Sequence, residues 1–400
     1  MENLIDSEVN RCLTCNNARC SKGCPISTVI PEIINLYREG DLDRAGEILF
    51  ENNPLSLICS IVCPHEDNCM GNCILGIKGD SVNFPSIERE ISERYLKETD
   101  FVQNISLDKR IAVIGSGPAG LTMAFIMAKK GYSVTIFEKL SQIGGVLRYG
   151  IPEFRLSKDI LDIMEERLIQ LGVKIRYNDL IGPVNNVNEL IEDGYSAVFI
   201  GTGVWNPRPL RIKGETFGHV HYAINYLKSP GSFNLGKKVA VIGAGNVAMD
   251  AARTAKRNGA EEVFVLYRKG IEDMKATRAE IEEAKEDGVK FRLHTTPLEI
   301  VDEGIVVEDT KDTSSSLFNC ATIIIAVSQT PATNIVSARG NSIETNTSGL
   351  VLTDEGGHTT SRGIFASGDV VSGARTVVEA VAATKEVAAA ICEYISGLNN

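Results

Sequence analysis

The glycine-rich segment from Ile111 to Glu138 constrains the fold of this chain more than any other feature. A short β-branched run precedes the spacing G-x-G-x-x-G, which is formed by Gly115, Gly117 and Gly120 and is followed by a helical stretch and a second apolar run. In a strand–turn–helix unit, these glycines permit a tight turn, the approach of a pyrophosphate, and close packing of helix on strand. The start of such a helix attracts phosphate, and a carboxylate at position 138 would accept hydrogen bonds from ribose hydroxyls. The segment therefore predicts a dinucleotide site; the alternative is a tight turn that packs well and binds nothing.

The pattern restarts at Lys238. An apolar run there leads into the spacing G-x-G-x-x-A, formed by Gly243, Gly245 and Ala248, and then into a second helical stretch. Two such units in one chain imply two bound dinucleotides, the arrangement of flavoproteins that use both FAD and NAD(P).

The residues after the next apolar run distinguish the two sites. This run, Val263 to Leu266, ends in Tyr267-Arg268-Lys269 rather than in an acid. An acid there would bind ribose hydroxyls and repel a 2′-phosphate, whereas Arg268 can hold the phosphate with two parallel N–H groups. We therefore predict NADPH at the second unit, with Lys275 as a further candidate cation, and by elimination FAD at the first. A solvated basic strand end is the alternative interpretation of Arg268 and Lys269.

Cysteine is concentrated near the N-terminus, where eight of the ten cysteines lie between Cys12 and Cys73. They form two groups, with the spacings Cys12-x2-Cys15-x4-Cys20-x3-Cys24-Pro25 and Cys59-x3-Cys63-Pro64-x4-Cys69-x3-Cys73. In a reducing compartment such clustering indicates metal rather than disulfides. A cysteine series closed by Cys-Pro is typical of ferredoxin-type iron–sulfur modules, and zinc is the alternative because C-x2-C pairs also build zinc sites.

Charge and hydropathy exclude several classes of partner. The formal net charge of −11 argues against nucleic acid and against an anionic membrane surface. The first residues, MENLIDSEVN, have neither the basic nor the apolar region of a signal peptide, and apolar runs such as Ala321 to Val327 are too short to cross a bilayer. We expect a cytoplasmic protein with no membrane segment.

The cysteine block, together with the segment ENNPLSLICSIVCPHEDNCMGNC, resembles the N-terminal module of the glutamate synthase small subunit family. The same module occurs in the flavin subunit of bacterial dihydropyrimidine dehydrogenase, in the matching half of the eukaryotic enzyme, and in NADH-dependent ferredoxin:NADP oxidoreductases. The resemblance implies two [4Fe–4S] clusters, the first held by Cys12, Cys15, Cys20 and Cys73, and the second held by Cys24, Cys63, Cys69 and Glu88. Counting cysteines leaves Cys59 as a rival to Glu88, because it would complete a set of four plus four.

The family signatures continue through the rest of the chain, in GGVLRYGIPEFRL (Gly144 to Leu156), in YSAVFIGTG (Tyr195 to Gly203) and in GIFASGD (Gly363 to Asp369). The resemblance implies an FAD site that comprises Gly115, Gly117, Pro118, Ala119, Gly120, Glu138, Lys139, Gly145, Leu147, Arg155, Ile181, Gly201, Thr202, Gly203, Gly368, Asp369, Thr376 and Val377. The corresponding NADPH site comprises Gly243, Gly245, Asn246, Val247, Ala248, Arg268, Lys269, Lys275 and Ala326.

The predicted fold is α/β, with an α-helical domain for two [4Fe–4S] clusters followed by two Rossmann-like domains of the two-dinucleotide flavoprotein type. We place the helical domain at residues 1–105, the FAD domain at 106–232 and 335–400, and the NADPH domain at 233–334. Within the NADPH domain, Ile300 to Val307 and Leu317 to Cys320 are expected to form the two strands of a hairpin, with Asp309 to Ser316 as its loop.

The chemistry expected of this arrangement belongs to the cofactors, since the sequence beyond the cysteine block contains no C-x-x-C dithiol and no nucleophile-and-base set. Hydride would pass from NADPH to FAD, and single electrons would pass through the clusters to a partner catalytic subunit. The resemblance implies a partner of the glutamate synthase or the dihydropyrimidine dehydrogenase type. The alternatives are a stand-alone NAD(P)H:ferredoxin-type reductase and a non-catalytic redox-sensing adaptor.

Overall fold

The computed structural model describes residues 4–103, 106–182, 185–332 and 343–398. The chain divides into two compact units, one comprising 1–145, 154–204 and 331–400, and the other comprising 146–153 and 205–330. The three domain boundaries given above remain predictions. Residues 1, 105, 334 and 335, on which some of them fall, lie outside the described residues.

The N-terminal part of the first unit is helical, as its sequence predicts. Its helices are α1 (Leu4–Arg11), α2 (Arg19–Lys22), α3 (Ile30–Glu39), α4 (Leu42–Asn52), α5 (Ser56–Val62) and α6 (Phe84–Glu98), with a 3₁₀ turn at Ile74–Ile77. Helix α3 ends at Gly40, whose φ of 78° is a left-handed value that suits glycine. The Asp41 side chain then caps α4 by accepting from the Arg44 N–H. The two helices therefore turn sharply and bury Ile33, Ile34 and Leu49 between them.

The next part of the first unit alternates strand and helix. It contains β1 (Arg110–Ile114), α7 (Pro118–Lys129), β2 (Ser133–Glu138), α8 (Val146–Tyr149), α9 (Asp159–Gln170), β3 (Lys174–Tyr177), α10 (Val187–Glu192) and β4 (Ala197–Ile200), of which α8 groups with the second unit. All residues of β4 and four of the five in β1 are buried, as expected of parallel strands covered on both faces.

The second unit begins another strand–helix series. Its elements are β5 (Asn206–Pro207), β6 (Val220–Tyr222), α11 (Ala223–Lys228), β7 (Lys238–Ile242), α12 (Asn246–Arg257), β8 (Glu262–Leu266), α13 (Arg278–Glu286), β9 (Lys290–Arg292), β10 (Thr295–Val301), β11 (Gly304–Asp309), β12 (Ser315–Asn319), β13 (Thr322–Ile325) and β14 (Gln329–Thr330), with 3₁₀ turns at Pro230–Ser232 and Ile271–Asp273. The chain then returns to the first unit with β15 (Ile364–Ala366), α14 (Asp369–Ser372) and α15 (Val377–Gly397).

Each unit is built on a five-stranded parallel sheet. The strand order is β15-β4-β1-β2-β3 in the first unit and β6-β13-β7-β8-β9 in the second. Ile114 lies opposite both Phe137 and Ile200, and Ala366 also lies opposite Ile200, so the carboxyl ends of four strands share one edge. In open parallel sheets this edge is where ligands bind. The α/β fold class and the two Rossmann-like sheets are confirmed.

The prediction of one strand over Ile300 to Val307 was wrong. The chain reverses at Asp302 and Glu303, so β10 and β11 pair antiparallel from Val301 opposite Gly304. Strand β12 then pairs with β11, as the predicted second half of the hairpin. β-Branched residues continue on both sides of Asp302 and Glu303, so the sequence pattern did not indicate a turn at these two polar residues.

Aromatic packing joins the helical part of the first unit to its sheet. The Phe50 ring lies 5.3 Å from Phe125 on α7, 5.2 Å from Phe101 and 5.5 Å from Tyr95, measured between ring centroids. The Arg167 guanidinium on α9 donates to the carbonyl oxygens of Leu96 and Lys97 at the end of α6. Aromatic pairs of this kind are worth about 0.5–1.5 kcal/mol each beyond the area they bury. The helices are therefore held at a fixed place relative to the sheet.

Candidate functional site

The first glycine turn is closed around the carboxyl end of β1. A Cβ on Gly120 would overlap the Gly115 carbonyl oxygen, and a Cβ on Gly115 would lie 2.9 Å from the Gly201 carbonyl oxygen. Gly115 also has a φ of 93°, which disfavours any residue with a side chain. At Gly117, by contrast, an added Cβ would meet nothing within 4 Å. The turn is thus packed on the protein side and open where a pyrophosphate is predicted to approach.

The Glu138 carboxylate lies at the end of β2 and is 4% exposed. Its Oε2 accepts from the Ser116 N–H at 2.9 Å and from the Ser116 hydroxyl at 2.6 Å, and its Oε1 accepts from the Leu140 N–H at 2.8 Å. These bonds fix the acid against the glycine turn. Ser116, which was not among the predicted site residues, therefore positions Glu138; its place inside the G-x-G spacing was the available signal.

The loop after β15 approaches the same turn. Gly368 has a φ of 74°, and a Cβ there would lie 3.0 Å from the Ala119 Cβ at the start of α7. Burial raises the pKa of the neighbouring Asp369 to about 6, and the Asp369 carboxylate accepts from the Arg375 N–H at 3.2 Å. The signatures at Gly115 and Gly368, which lie far apart in sequence, are therefore brought together at one sheet edge.

Helix α15 begins at this edge with a capping box. The Thr376 hydroxyl accepts from the Glu379 N–H, and the Glu379 carboxylate accepts from the Thr376 N–H at 3.0 Å. The pair fixes the first turn of a 21-residue helix, which begins at two of the predicted FAD residues, Thr376 and Val377.

Several other predicted FAD residues also lie near the turn. A Cβ on Gly145 would lie 2.7 Å from the Gly117 Cα, and Gly201, Thr202 and Gly203 directly follow β4. Lys139 follows β2 and is exposed.

Three more of the predicted FAD residues lie in other elements of the chain. Ile181 is buried in the core beside Ile114, Arg155 is half-buried in the segment before α9, and Leu147 lies on α8, within the second unit.

The second glycine turn repeats the first. Gly243 has a φ of 138°, and a Cβ there would overlap the Ala326 carbonyl oxygen, so the turn packs against the end of β13. An added Cβ on Gly245 would meet nothing within 4 Å. The Asn246 side chain accepts from the Thr277 N–H at 3.2 Å, and Val247 and Ala248 continue the first turn of α12.

The predicted cations of the second unit lie on its surface. Arg268 is exposed just beyond β8, and its guanidinium makes no ion pair with any described residue. Lys269 is 3.5 Å from the Asp273 carboxylate, so part of its charge is already balanced. The Lys275 side chain is exposed, and the backbone N–H of Lys275 donates to the Ala244 carbonyl oxygen inside the glycine turn at 2.9 Å. Arg268 and Lys275 are thus anchored at the end of β8 and at the turn, respectively.

The cysteines line two cavities of the helical region, and all ten cysteines of the chain are free of disulfides. The first cavity has a volume of about 90 Å³ and is lined by the four predicted ligands of the first cluster, Cys12, Cys15, Cys20 and Cys73. Apolar side chains, which include Leu13 and Ile74, complete its wall. Burial raises the pKa of the Cys20 thiol, with a further contribution from Cys73 and Cys12 nearby. The first predicted ligand set therefore meets at one place.

The second cavity is lined by all four predicted ligands of the second cluster and by their rival Cys59; the ligands are Cys24, Cys63, Cys69 and Glu88. Burial alone raises the pKa of Glu88 to about 8, and no described side chain forms an ion pair with its carboxyl group. A hydrogen bond with Cys59, followed by burial, raises the pKa of the Cys63 thiol. Glu88 is thus a buried acid that faces the thiols and has no counter-charge among the described residues. Cys59, by contrast, already forms a hydrogen bond with Cys63.

One atom in the wall of the second cavity has no partner. Asn53 is 1% exposed, and its Oδ1 accepts from the Leu55 N–H at 2.9 Å, but its Nδ2 donates to no described group. A buried N–H₂ without an acceptor is costly in an empty protein. The sulfur atoms of a cluster bound in this cavity would supply the missing acceptor. Sequence reasoning missed Asn53, since an asparagine before proline ordinarily indicates a turn.

The donor set suits a cluster better than a single ion. Within residues 4–103, 106–182, 185–332 and 343–398, no three His, Cys, Asp or Glu side chains come close enough together to bind one metal ion. The thiols instead surround cavities, and the carboxylate and amide complete the second of them. The residues present therefore fit two iron–sulfur clusters. No described helix is both long enough and apolar enough to cross a membrane.

Three families of known proteins match the chain. Residues 1–100 match the dihydropyrimidine dehydrogenase domain II family, described as carrying a 4Fe-4S cluster. Residues 113–156 match the NAD(P)-binding Rossmann-like domain family. Residues 183–384, half of the chain, match the pyridine nucleotide-disulphide oxidoreductase family.

Whole proteins of two named kinds are similar along nearly the full length. The glutamate synthase [NADPH] small chain of Halomonas elongata is 31% identical over 97% of this chain and 90% of its own. The NAD-dependent dihydropyrimidine dehydrogenase subunit PreT of Escherichia coli O157:H7 is 30% identical over 98% of this chain and 95% of its own. Both names describe parts of multi-subunit enzymes.

A solved structure supports the fold of most of the chain. Thioredoxin reductase of Lactococcus lactis superposes with a TM-score of 0.59 and 26% identity, over 72% of this chain and 100% of its own. The predicted resemblance and cofactor classes are thereby confirmed. The chain belongs to the pyridine nucleotide-disulphide oxidoreductase family, as an iron–sulfur oxidoreductase that uses FAD and NAD(P)H and is of the same type as glutamate synthase small chains and dihydropyrimidine dehydrogenase PreT subunits.

Proposed function

We propose that this chain is an electron-input subunit that oxidises NADPH and delivers single electrons to a partner catalytic subunit. One observation carries the proposal: Val378, in the first turn of α15, lines the second cysteine cavity, and this turn begins at the sheet edge of the first glycine turn. Thr376 and Val378 are about 3 Å apart along the helix axis, since each residue adds about 1.5 Å. A group bound at that edge and a cluster in the cavity would thus lie on either side of one helical turn.

The residues of the first unit would hold the flavin as follows. Gly117 and the start of α7 leave room and free N–H groups for the pyrophosphate, and the fixed Glu138 carboxylate would accept from ribose hydroxyls. Asp369 would bind the ribityl chain. When bound, FAD supplies the conversion of a two-electron hydride into single electrons, which no side chain can do.

The order of the relay follows from the two cavities. Ile30, Cys69 and Phe84 line both cavities, so the cavities share a wall. The second cavity is the one that reaches α15, and the first lies on the far side of the shared wall. We therefore assign the order flavin site, second cavity, first cavity, and then the acceptor. Leu13 and Ile74, which are 60% and 45% exposed, flank the first cavity where an acceptor would approach.

The nature of the electron donor rests on Arg268. Its exposed guanidinium, which forms no ion pair with any residue that the structure describes, lies at the end of β8 and suits the 2′-phosphate that NADPH carries and NADH lacks. The PreT relatives are named as NAD-dependent, so the preference for NADPH is a property of this site to be measured.

The proposal is tested by anaerobic addition of NADPH to the purified chain. Flavin absorbance should fall, and EPR signals of reduced clusters should appear, with at least one reduced cluster per protein chain. A flavin that NADPH leaves unchanged would support the redox-sensing adaptor instead.

The acceptor is identified by purifying the chain anaerobically from its own host. We expect a co-purifying subunit of the glutamate synthase large-subunit or the dihydropyrimidine dehydrogenase catalytic type. Recovery of the chain alone, together with efficient reduction of ferredoxin, would favour the stand-alone reductase.

A further inference from the structure

Two buried polar side chains, a hydroxyl and an amide, line the second cysteine cavity without being predicted ligands; His65 and Asn68, which are less buried, line it as well. Thr28 is 3% exposed and Asn53 is 1% exposed, and both line the cavity beside Cys24. Neither side chain is charged, so neither balances the charge of a metal centre directly. Each nevertheless brings a hydrogen-bond donor to a site that the thiolate sulfurs fill with acceptors.

A hydrogen-bonded chain determines which way the Thr28 hydroxyl points. The Lys385 ammonium donates to the Asn52 Oδ1 at 2.6 Å, and the Asn52 Nδ2 donates to the Thr28 Oγ1 at 3.3 Å. Since the Thr28 oxygen already accepts a hydrogen bond, its proton is available to the Cys24 Sγ, which lies 3.4 Å away. A metal-bound thiolate can only accept, so the direction of that last bond is fixed once Cys24 is a ligand.

Lys385 places a positive charge at the outer end of this chain. It lies on α15 and is half-buried, and burial lowers the pKa of Lys385 while the nearby Cys24 raises it. A cation that is partly removed from water acts on its neighbours more strongly than one at the surface, because the local dielectric screens it less.

We propose that Thr28, Asn53 and Lys385 raise the reduction potential of the second cluster and so make it a ready acceptor of electrons from the flavin. Hydrogen bonds to cluster sulfurs and nearby positive charge stabilise the reduced state, which carries one more negative charge. The inference deepens the proposed function, because it assumes a cluster in the second cavity. These three are positioning residues, since they act through the ligand sulfurs and not on a substrate.

The test is an EPR-monitored redox titration of the anaerobically purified holoenzyme and of Thr28→Val, Asn53→Asp and Lys385→Met. Thr28→Val keeps the shape and removes the donor. Asn53→Asp keeps the acceptor for the Leu55 N–H and replaces the orphan donor with an acceptor. We expect each variant to lower the midpoint potential of the second cluster alone. At a fixed potential the reduced-to-oxidised ratio should fall about tenfold, which corresponds to about 59 mV for one electron.

Lys129→Met is the matched control, since Lys129 lies in the same unit and pairs with Glu51, and neither residue lines the second cavity. It should leave the potential unchanged. If Thr28→Val or Asn53→Asp loses iron, the Lys385→Met titration decides, because Lys385 does not line the cavity. Full iron content with an unmoved potential in Lys385→Met, or an equal shift in Lys129→Met, overturns the inference. Absence of the second cluster from the unaltered protein would instead overturn the proposed function.

Discussion

At the scale of single residues, the second dinucleotide site depends on Arg268. We expect Arg268→Ala to raise the KM for NADPH by about 10- to 100-fold, because charge-assisted hydrogen bonds to phosphate contribute about 1.5–3 kcal/mol. NADH lacks the 2′-phosphate, so its KM should change little. Steady-state kinetics with both nucleotides and an artificial acceptor measure the difference. The same loss for NADPH and NADH would contradict the phosphate role of Arg268.

The fourth ligand of the second cluster is a choice between Glu88 and Cys59. Glu88 is a buried acid that forms no ion pair within the described part of the chain, and a buried carboxylate is stabilised by a metal. We therefore expect Glu88→Ala to lose the EPR signal of one cluster and about four irons, and Cys59→Ala to keep both clusters. Iron analysis and EPR on the two variants identify the fourth ligand. Loss of a cluster only in Cys59→Ala would reverse the assignment.

The sequence carried these ligand sets only through family resemblance. Spacing shows that Cys12 and Cys15 are close together, but it does not show that Cys73 joins them while Cys69, four residues earlier, faces both cavities. That pairing depends on how α3 and α6 pack. Asn53 and Thr28 were missed for the same reason: a neutral side chain signals a metal-site role only when its neighbours in space are known.

At the scale of elements, α14 should titrate at its first residue, Asp369. Burial raises the pKa of Asp369 to about 6 from an ordinary value of 3.8, so the folded state favours the protonated acid. In the FAD-free protein this contribution to stability is complete below about pH 4 and is lost as the pH rises through about 6. Asp369→Asn stays neutral at every pH. As the pH rises from about 4 to about 6, its free energy of unfolding should therefore increase by on the order of 2 kcal/mol relative to that of the wild type.

Urea unfolding of the two FAD-free proteins at pH 4 and at pH 7 measures this relative change. Since other carboxyl groups titrate equally in both proteins, they cancel in the comparison. A free-energy difference that is the same at both pH values would show that Asp369 is not buried as described.

The elements themselves were predictable where two signals agreed. Strands β1 and β7 are apolar runs closed by a glycine turn, so both periodicity and turn chemistry located them. Strands β10 and β11 were merged because Asp302-Glu303 is an atypical two-residue hairpin turn, unlike the Asn-Gly that usually marks one. Only the antiparallel register, which the folded chain reveals, separates them.

At the scale of the whole molecule, the proposed path of the electrons lies inside the first unit. Helix α15 extends from the predicted flavin site past the second cavity, and the cavities share a wall made by Ile30, Cys69 and Phe84. The sequence predicted the components, since each cofactor has a local motif. It could not predict their order, because that order depends on contacts between the C-terminal helix and residues more than 300 positions earlier, such as Lys385 with Asn52.

The central claim is tested most directly by rapid-freeze-quench EPR after anaerobic mixing of the holoenzyme with NADPH. The two cluster signals are assigned with Glu88→Ala, which should lack the second cluster, and with Cys15→Ala, which should lack the first. The account predicts that flavin absorbance falls first, that the second cluster is reduced next, and that the first cluster follows. Reduction of the first cluster in Glu88→Ala at the wild-type rate, or a bleached flavin with no cluster signal at all, would contradict it.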